Sequence, residues 1–272
     1  MIKTDVLIDT FFKNEPIEKR VARVADCGFK FIETWAGGDA GLLHKIASEC
    51  KKSGVELVSV VLASGNEEDL VPVRAENLQR FAELIDKRTD YALAAGCSQG
   101  IVTTGQSVTN RSYQQQRAAL VEALRAAGSI ATQKGFRLNL EPLNTEIDHP
   151  GYFLDSALDG AAIIKEVGMD NVRLLYDIYH MGIMGGNQTA FIEHNIQLIG
   201  HFHGAGIPGR HELFESEMDY PFLLKRICGA GYTGYFGLEY LPKLEGSESL
   251  LKTADYLANG PKPFGFSKTN QA

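Results

Sequence analysis

Eight short apolar-rich runs recur along this chain, each followed by a stretch whose apolar residues have helical spacing. That alternation limits the fold more than any other feature. The runs are Asp5–Ile8, Phe29–Glu33, Glu56–Leu62, Gly100–Thr103, Leu138–Glu141, Val172–Asp177, Ile199–His203 and Tyr235–Glu239. Spread over 272 residues, they give about 34 residues per unit, a natural size for a strand–helix repeat. Glycine stands at the hand-over from helix to strand at Gly28, Gly54, Gly96, Gly135, Gly168 and Gly231, where a helix C-cap is expected. Helical spacing shows in Leu120, Leu124, Ala127 and Ala131, and again in Leu250, Ala254, Leu257 and Ala258. Strict alternation implies a parallel sheet, and eight units suit a closed (β/α)8 TIM barrel, here one domain over residues 1–272. An open doubly wound sheet is the competing architecture. Against it, no G-x-G-x-x-G follows the first strand and no phosphate-loop sequence is present. No proline-rich or low-complexity linker divides the chain, and the tail from Asn259 through Pro263 reads as irregular surface chain.

The four runs of the second half all end on ionisable side chains: Glu141, Asp177, His203 and Glu239. Parallel strands bring such ends to one carboxyl-terminal edge, where barrel enzymes hold their chemistry. Strand parity agrees. Asn139 with Glu141, His201 with His203, and Gly237 with Glu239 share one face, while Leu138, Leu140, Phe202, Phe236 and Leu238 share the other. Apolar residues then face the helices and polar ones the barrel interior. Any one of the four could be a strand-end residue capping a loop or pairing with an arginine. Four in register argue for a divalent-metal site.

Composition narrows the class. With 44% hydrophobic and 22% charged residues, the chain resembles an ordinary soluble protein. No apolar run approaches the roughly 20 residues of a membrane helix, and Lys3, Asp5 and Asp9 interrupt any signal-peptide core. A formal charge of −7 disfavours a nucleic-acid partner. Cys27, Cys50, Cys97 and Cys228 are scattered without a C-x-x-C, the pattern of buried thiols in a reducing, cytoplasmic setting.

The stretches Leu140-Glu141-Pro142-Leu143-Asn144, Asp148-His149-Pro150-Gly151-Tyr152-Phe153-Leu154, Tyr176-Asp177-Ile178-Tyr179-His180-Met181, Pro208-Gly209-Arg210-His211-Glu212 and Gly234-Tyr235-Phe236-Gly237-Leu238-Glu239-Tyr240 resemble the hydroxypyruvate isomerase family. That family belongs to the xylose isomerase-like barrels, alongside ketose 3-epimerases and endonuclease IV. The motifs cover residues 138 to 242, and the first half resembles the family mainly through Phe31-Ile32-Glu33. The resemblance implies Glu141, Asp177, His203 and Glu239 as metal ligands and Glu141 and Glu239 also as the catalytic pair. It implies His180 and Arg210 as substrate contacts. One position departs from the pattern: the family's isomerases usually carry glutamine where this chain has His203, and the His-Phe-His form is more like the epimerases.

What this implies is an enzyme that interconverts hydroxypyruvate and tartronate semialdehyde, or a similar small keto acid. The ligand set favours Mg²⁺, Mn²⁺ or Co²⁺, with Zn²⁺ also admissible. The partner is a small molecule, with no nucleic acid and no membrane, and a homo-oligomer is left open. A ketose 3-epimerase is the second reading, and an endonuclease IV-like hydrolase a distant third. Arg210 could grip a substrate carboxylate bidentately, or pair with Glu212 on a solvated loop. His180 is expected on the loop above the sixth strand and His201 one layer below His203. Glu146 and His149 follow the fifth strand within reach of a ligand. Glu33 and Trp35 are candidates to line the mouth, while His44 and His194 read as surface residues.

Overall fold

The computed structural model of the chain describes residues 2–65 and 70–260. Its strands are β1 (Lys3–Leu7), β2 (Phe31–Thr34), β3 (Glu56–Ala63), β4 (Gln99–Val102), β5 (Arg137–Leu140), β6 (Val172–Asp177), β7 (Ile199–Gly204) and β8 (Tyr235–Leu238). They close into a barrel in sequence order, every neighbouring pair parallel, with β8 returning to β1. This is the expected (β/α)8 barrel. The strand ends fall slightly off expectation. Asp177 closes β6, but Glu141 and Glu239 lie one residue beyond β5 and β8, and His203 is the penultimate residue of β7.

The helices are α1 (Arg20–Asp26), α2 (Ala40–Ser53), α3 (Leu78–Ala94), α4 (Tyr113–Gln133), α5 (Ala157–Val167), α6 (Ile178–Met184), α7 (Gln188–Asn195), α8 (Tyr220–Gly229) and α9 (Gly246–Asn259). Helix α4 opens on a capping box, in which Ser112 and Gln115 exchange side-chain-to-backbone hydrogen bonds. It buries Leu120, Leu124, Ala127 and Ala131 as the spacing predicts. Helix α9 departs from its expected stripe. Leu250 is buried, Ala254 and Leu257 are half-buried, and Ala258 is exposed. The inner face instead carries Ser249 and Thr253, because the buried Tyr240 hydroxyl needs partners and finds both at 2.9 Å. Two helices follow β6, where one was expected.

All six hand-over glycines have φ between +65° and +93°, the left-handed region that a β-carbon penalises. Gly54 and Gly168 are the C-caps themselves, and the other four follow the cap residue. The four cysteines are free; Cys50 and Cys97 are buried, but Cys27 is half-buried and Cys228 exposed, so only two fit the expectation of buried thiols. No helix among the described residues is long and apolar enough to cross a membrane. Asn259 ends α9, and the tail expected to be irregular lies from Pro261 onward outside the described residues.

Side-chain parity holds in space. Leu138, Leu140, Phe202, Phe236 and Leu238 join Leu120, Leu124, Ala127 and Ala131 in the apolar layer between sheet and helices. The opposite face of the strands points into the barrel, where Asp5, Glu33, Asn139, His201 and His203 are at most 1% exposed. Gly237 pairs in register with Asp5 on one side and His203 on the other, so the interior layer beneath the mouth is polar with a gap at β8.

Candidate active and metal site

The ligand-type atoms of Glu141, Asp177, His180 and Glu239 lie within 4.8 Å of one another at the carboxyl-terminal mouth. A second group within the same span, Glu33, His201 and His203, sits directly beneath. His203 joins the two. Its Nε2 is 3.0 Å from Glu33 Oε2, while its Nδ1 is 3.2 Å from Glu239 Oε2 and 3.6 Å from Glu141 Oε1. The structure therefore brings all four expected residues together and adds His180 to them.

Each is placed by the local fold. Asp177 is the N-cap of α6; its Oδ1 accepts from the Tyr179 and His180 backbone N–H groups at 2.7 and 3.4 Å. That leaves Oδ2 free to face the mouth. Asp177 Oδ2, Glu141 Oε1, His180 Nε2 and His203 Nδ1 are buried without a hydrogen-bond partner among the described residues. Of these, the two carboxylate oxygens and His203 Nδ1 are atoms that can ligate a divalent cation, so the residues present fit a metal ion.

His180 and His203 do not play the same part there. His180 Nδ1 lies 3.2 Å from the Asn144 backbone N–H and 2.7 Å from Asn144 Nδ2, so it is the accepting nitrogen. Its proton then sits on Nε2, 3.6 Å from Asp177 Oδ2, and that nitrogen is a donor rather than a ligand. Burial, with help from Arg210, pushes His180 well below the usual imidazole range and keeps it neutral. It lies within α6 and not on a loop as expected. Asn144 is fixed in turn: its Oδ1 accepts from Ile147 and Asp148 N–H, and its amide donates to Asp148 Oδ2 at 2.7 Å. The Tyr179 hydroxyl donates to the same Asp148 oxygen at 2.8 Å. Asn144, Asp148 and Tyr179 are the residues that sequence reading passed over, although each stands in a motif it had marked.

Electrostatics separate the carboxylates. Burial raises Asp177 to about 7, with Glu239 adding to the effect. Burial likewise raises Glu141, which His203 only partly offsets. Burial acts on Glu239 too, but Arg210 and His203 outweigh it and hold Glu239 well below the ordinary range. Despite its burial, His203 is held well above the imidazole range by Glu33 and Glu239.

Arg210 pairs with Glu239, not with Glu212. Its guanidinium donates to Glu239 Oε2 at 2.7 Å and lies 5.4 Å over the Tyr179 ring. Its backbone sits at φ +59°, costly for a residue with a side chain and a mark of positions whose geometry matters. Glu212 instead accepts from the Lys243 and Leu244 N–H groups and from Ser249. Trp35 is 47% exposed and donates its indole N–H to Glu239 Oε1 at 3.2 Å, so it does line the mouth. Glu33 does not; it is 1% exposed and points into the barrel. The His149 ring packs 5.5 Å from that of His180, Glu146 is exposed, and His44 and His194 are on the surface. A separate cleft of about 750 Å³ opens at the opposite end, lined by Val55, Ser98, Arg137 and Tyr235, away from this cluster.

The model of the xylose isomerase-like TIM barrel family matches residues 21–259. The 2-oxo-tetronate isomerase of Cupriavidus necator is 36% identical over 177 residues, 65% of this chain and 68% of its own. The hydroxypyruvate isomerase of Escherichia coli K12 is 29% identical over 248 residues, 89% of this chain and 95% of its own. A crystal structure named AP endonuclease, family 2, from Brucella melitensis superposes with TM-score 0.86 at 29% identity, covering 94% of this chain and 99% of the other. Both curated relatives are named isomerases, and with the family model matching most of its length this chain belongs to the xylose isomerase-like TIM barrel family.

Proposed function

We propose that the chain is a metal-dependent isomerase of small hydroxy-keto acids, of the hydroxypyruvate or 2-oxotetronate type, working as a single barrel domain on a free small molecule. The observation that carries this is the convergence of three carboxylates and His203 Nδ1 at the mouth, with Arg210 seated on one of those carboxylates. Glu141, Asp177, His203 and Glu239 would hold one divalent ion. When bound, it supplies Lewis acidity that polarises the substrate carbonyl and offsets charge on the substrate oxygens.

The side chains divide the remaining work. Isomerisation moves a proton from the hydroxyl-bearing carbon to the former carbonyl carbon and the hydroxyl proton to the former carbonyl oxygen, as the double bond shifts between them. Glu239, held ionised by Arg210 and His203, is suited to take the first proton. Glu141, facing it across the mouth, is placed to hand one back. His180 Nε2–H is oriented to donate to a substrate oxygen. A substrate carboxylate draws the Arg210 guanidinium away from Glu239 Oε2, and the uncovered oxygen becomes a better base when substrate arrives.

His203 favours one second reading, a ketose 3-epimerase, which returns the proton to the opposite face of the same carbon. The test is turnover of hydroxypyruvate, 2-oxotetronates and free ketoses by Mn²⁺-loaded protein in D₂O, with deuterium incorporation followed by NMR. Turnover of keto acids with exchange at the hydroxyl-bearing carbon is expected; turnover confined to neutral ketoses would establish the epimerase instead.

A further inference from the structure

The layer beneath the mouth is polar where barrel interiors of this kind are mostly filled by branched apolar residues. Asp5, Glu33, His201 and His203 meet there, none more than 1% exposed. Glu33 Oε2 is the hub, 3.0 Å from His203 Nε2 and 3.3 Å from His201 Nε2, with Asp5 Oδ2 a further 3.9 Å from His201 Nε2. The space is kept by Gly237. A β-carbon there would stand 2.4 Å from Glu33 Oε1, 2.7 Å from His203 Cδ2 and 2.8 Å from Asp5 Oδ1.

We infer that Glu33 is the positioning residue that fixes the tautomer and ring plane of His203, turning Nδ1 toward the cation site; this rests on the metal reading above. An imidazole has two nitrogens, and the hydrogen bond made by one decides what the other can do. Glu33 Oε2 stands 3.0 Å from His203 Nε2, within hydrogen-bond reach, and a carboxylate oxygen in that place accepts, so Nε2 carries the proton that faces Glu33. Nδ1 is thereby the nitrogen turned to the mouth, where Glu239 and Glu141 lie 3.2 and 3.6 Å away, and the one that gives up its proton when a cation binds. The anion beneath also makes the imidazole a stronger donor to a metal. Glu33 touches neither substrate nor ion; it acts through His203.

The competing account of the same atoms is a second cation bound between Glu33, His201 and His203. It would require His203 to lose both protons and bridge two ions, and the test separates the two. Mn²⁺ binding is measured by titration calorimetry on the wild-type protein, Glu33→Gln, His203→Gln and the double variant, with folding checked by circular dichroism. Glu33→Gln should weaken Mn²⁺ binding by about 10- to 100-fold. In the His203→Gln background the same change should alter it little, since an amide has no tautomer to fix. Equal losses in both backgrounds would mark a general structural role and overturn the inference, as would two ions bound per wild-type chain. Should Glu33→Gln fail to fold, ¹⁵N-histidine NMR of the Zn²⁺-loaded wild-type protein decides directly. A proton on His203 Nε2 is expected; a proton on Nδ1 overturns the inference. Wild-type protein that binds no Mn²⁺ would remove the metal reading and this inference with it. Normal wild-type binding that Glu33→Gln leaves unchanged removes this inference alone.

Discussion

Glu239 has Trp35 on one oxygen, with Arg210 and His203 on the other. Its low pKa follows from those neighbours and not from its own chemistry. If it takes the substrate proton, Glu239→Gln should lower turnover by roughly 10² or more, the scale of general acid–base catalysis. Mn²⁺ binding, measured by calorimetry, should survive, because the amide oxygen can still ligate. Near-normal turnover would remove Glu239 from the mechanism. Arg210 separates an acid substrate from a neutral one. Arg210→Lys should weaken binding of keto acids by about 10- to 100-fold, the worth of a charge-assisted bidentate pair at ~1.5–3 kcal/mol. Binding of neutral ketoses should be largely spared. Equal loss on both classes would identify a hydroxyl-binding or structural arginine. The sequence made Arg210 and His180 visible as motif residues. It did not show that Arg210 rests on Glu239, or that Asn144 turns His180 into a donor, because both contacts join segments that follow different strands.

At the level of elements, β8 shows how a strand can serve a site through a missing side chain. Gly237 lies between Asp5 and His203 in register, and any β-carbon there meets three side-chain atoms at 2.8 Å or less. Gly237→Ala should cost about 1–3 kcal/mol in urea unfolding, the range for overpacking a tight interior. It should also weaken Mn²⁺ binding by displacing His203. Stability and metal affinity both at wild-type levels would show that the layer is not packed as described. Parity along β5, β7 and β8 was legible because alternation is a local property of extended chain. The α9 stripe was not, since Tyr240 selects Ser249 and Thr253 over Ala258 through a contact between elements. Nor was the double duty of Asp177, which caps α6 with one oxygen and faces the mouth with the other.

For the whole molecule, burying so many ionisable groups ties stability to pH. Asp177 is raised to about 7 from 3.8, and His203 lies well above 6.5. Both groups bind protons more tightly folded than unfolded, so the stability they lend is present at low pH and lost as pH rises through those values. His180 and His201, lowered by burial, act in the opposite sense and only below the usual imidazole range. In chelator, the melting temperature should therefore fall as pH rises from about 6 to about 8.5. Saturating Mn²⁺ should cancel or reverse that slope, because the ion replaces the protons and binds better as they leave. A melting temperature that climbs over the same range in chelator would contradict these assignments. The sequence by itself determined the eight-unit alternation, the parallel sheet and the set of side chains at its mouth, because periodicity and strand parity are written within a few residues of one another. The tertiary structure alone decided which nitrogen of each histidine faces the site, which carboxylate Arg210 holds, and that Glu33 points inward beneath His203. Those depend on distances between strands far apart in the chain, which only closure of the barrel sets.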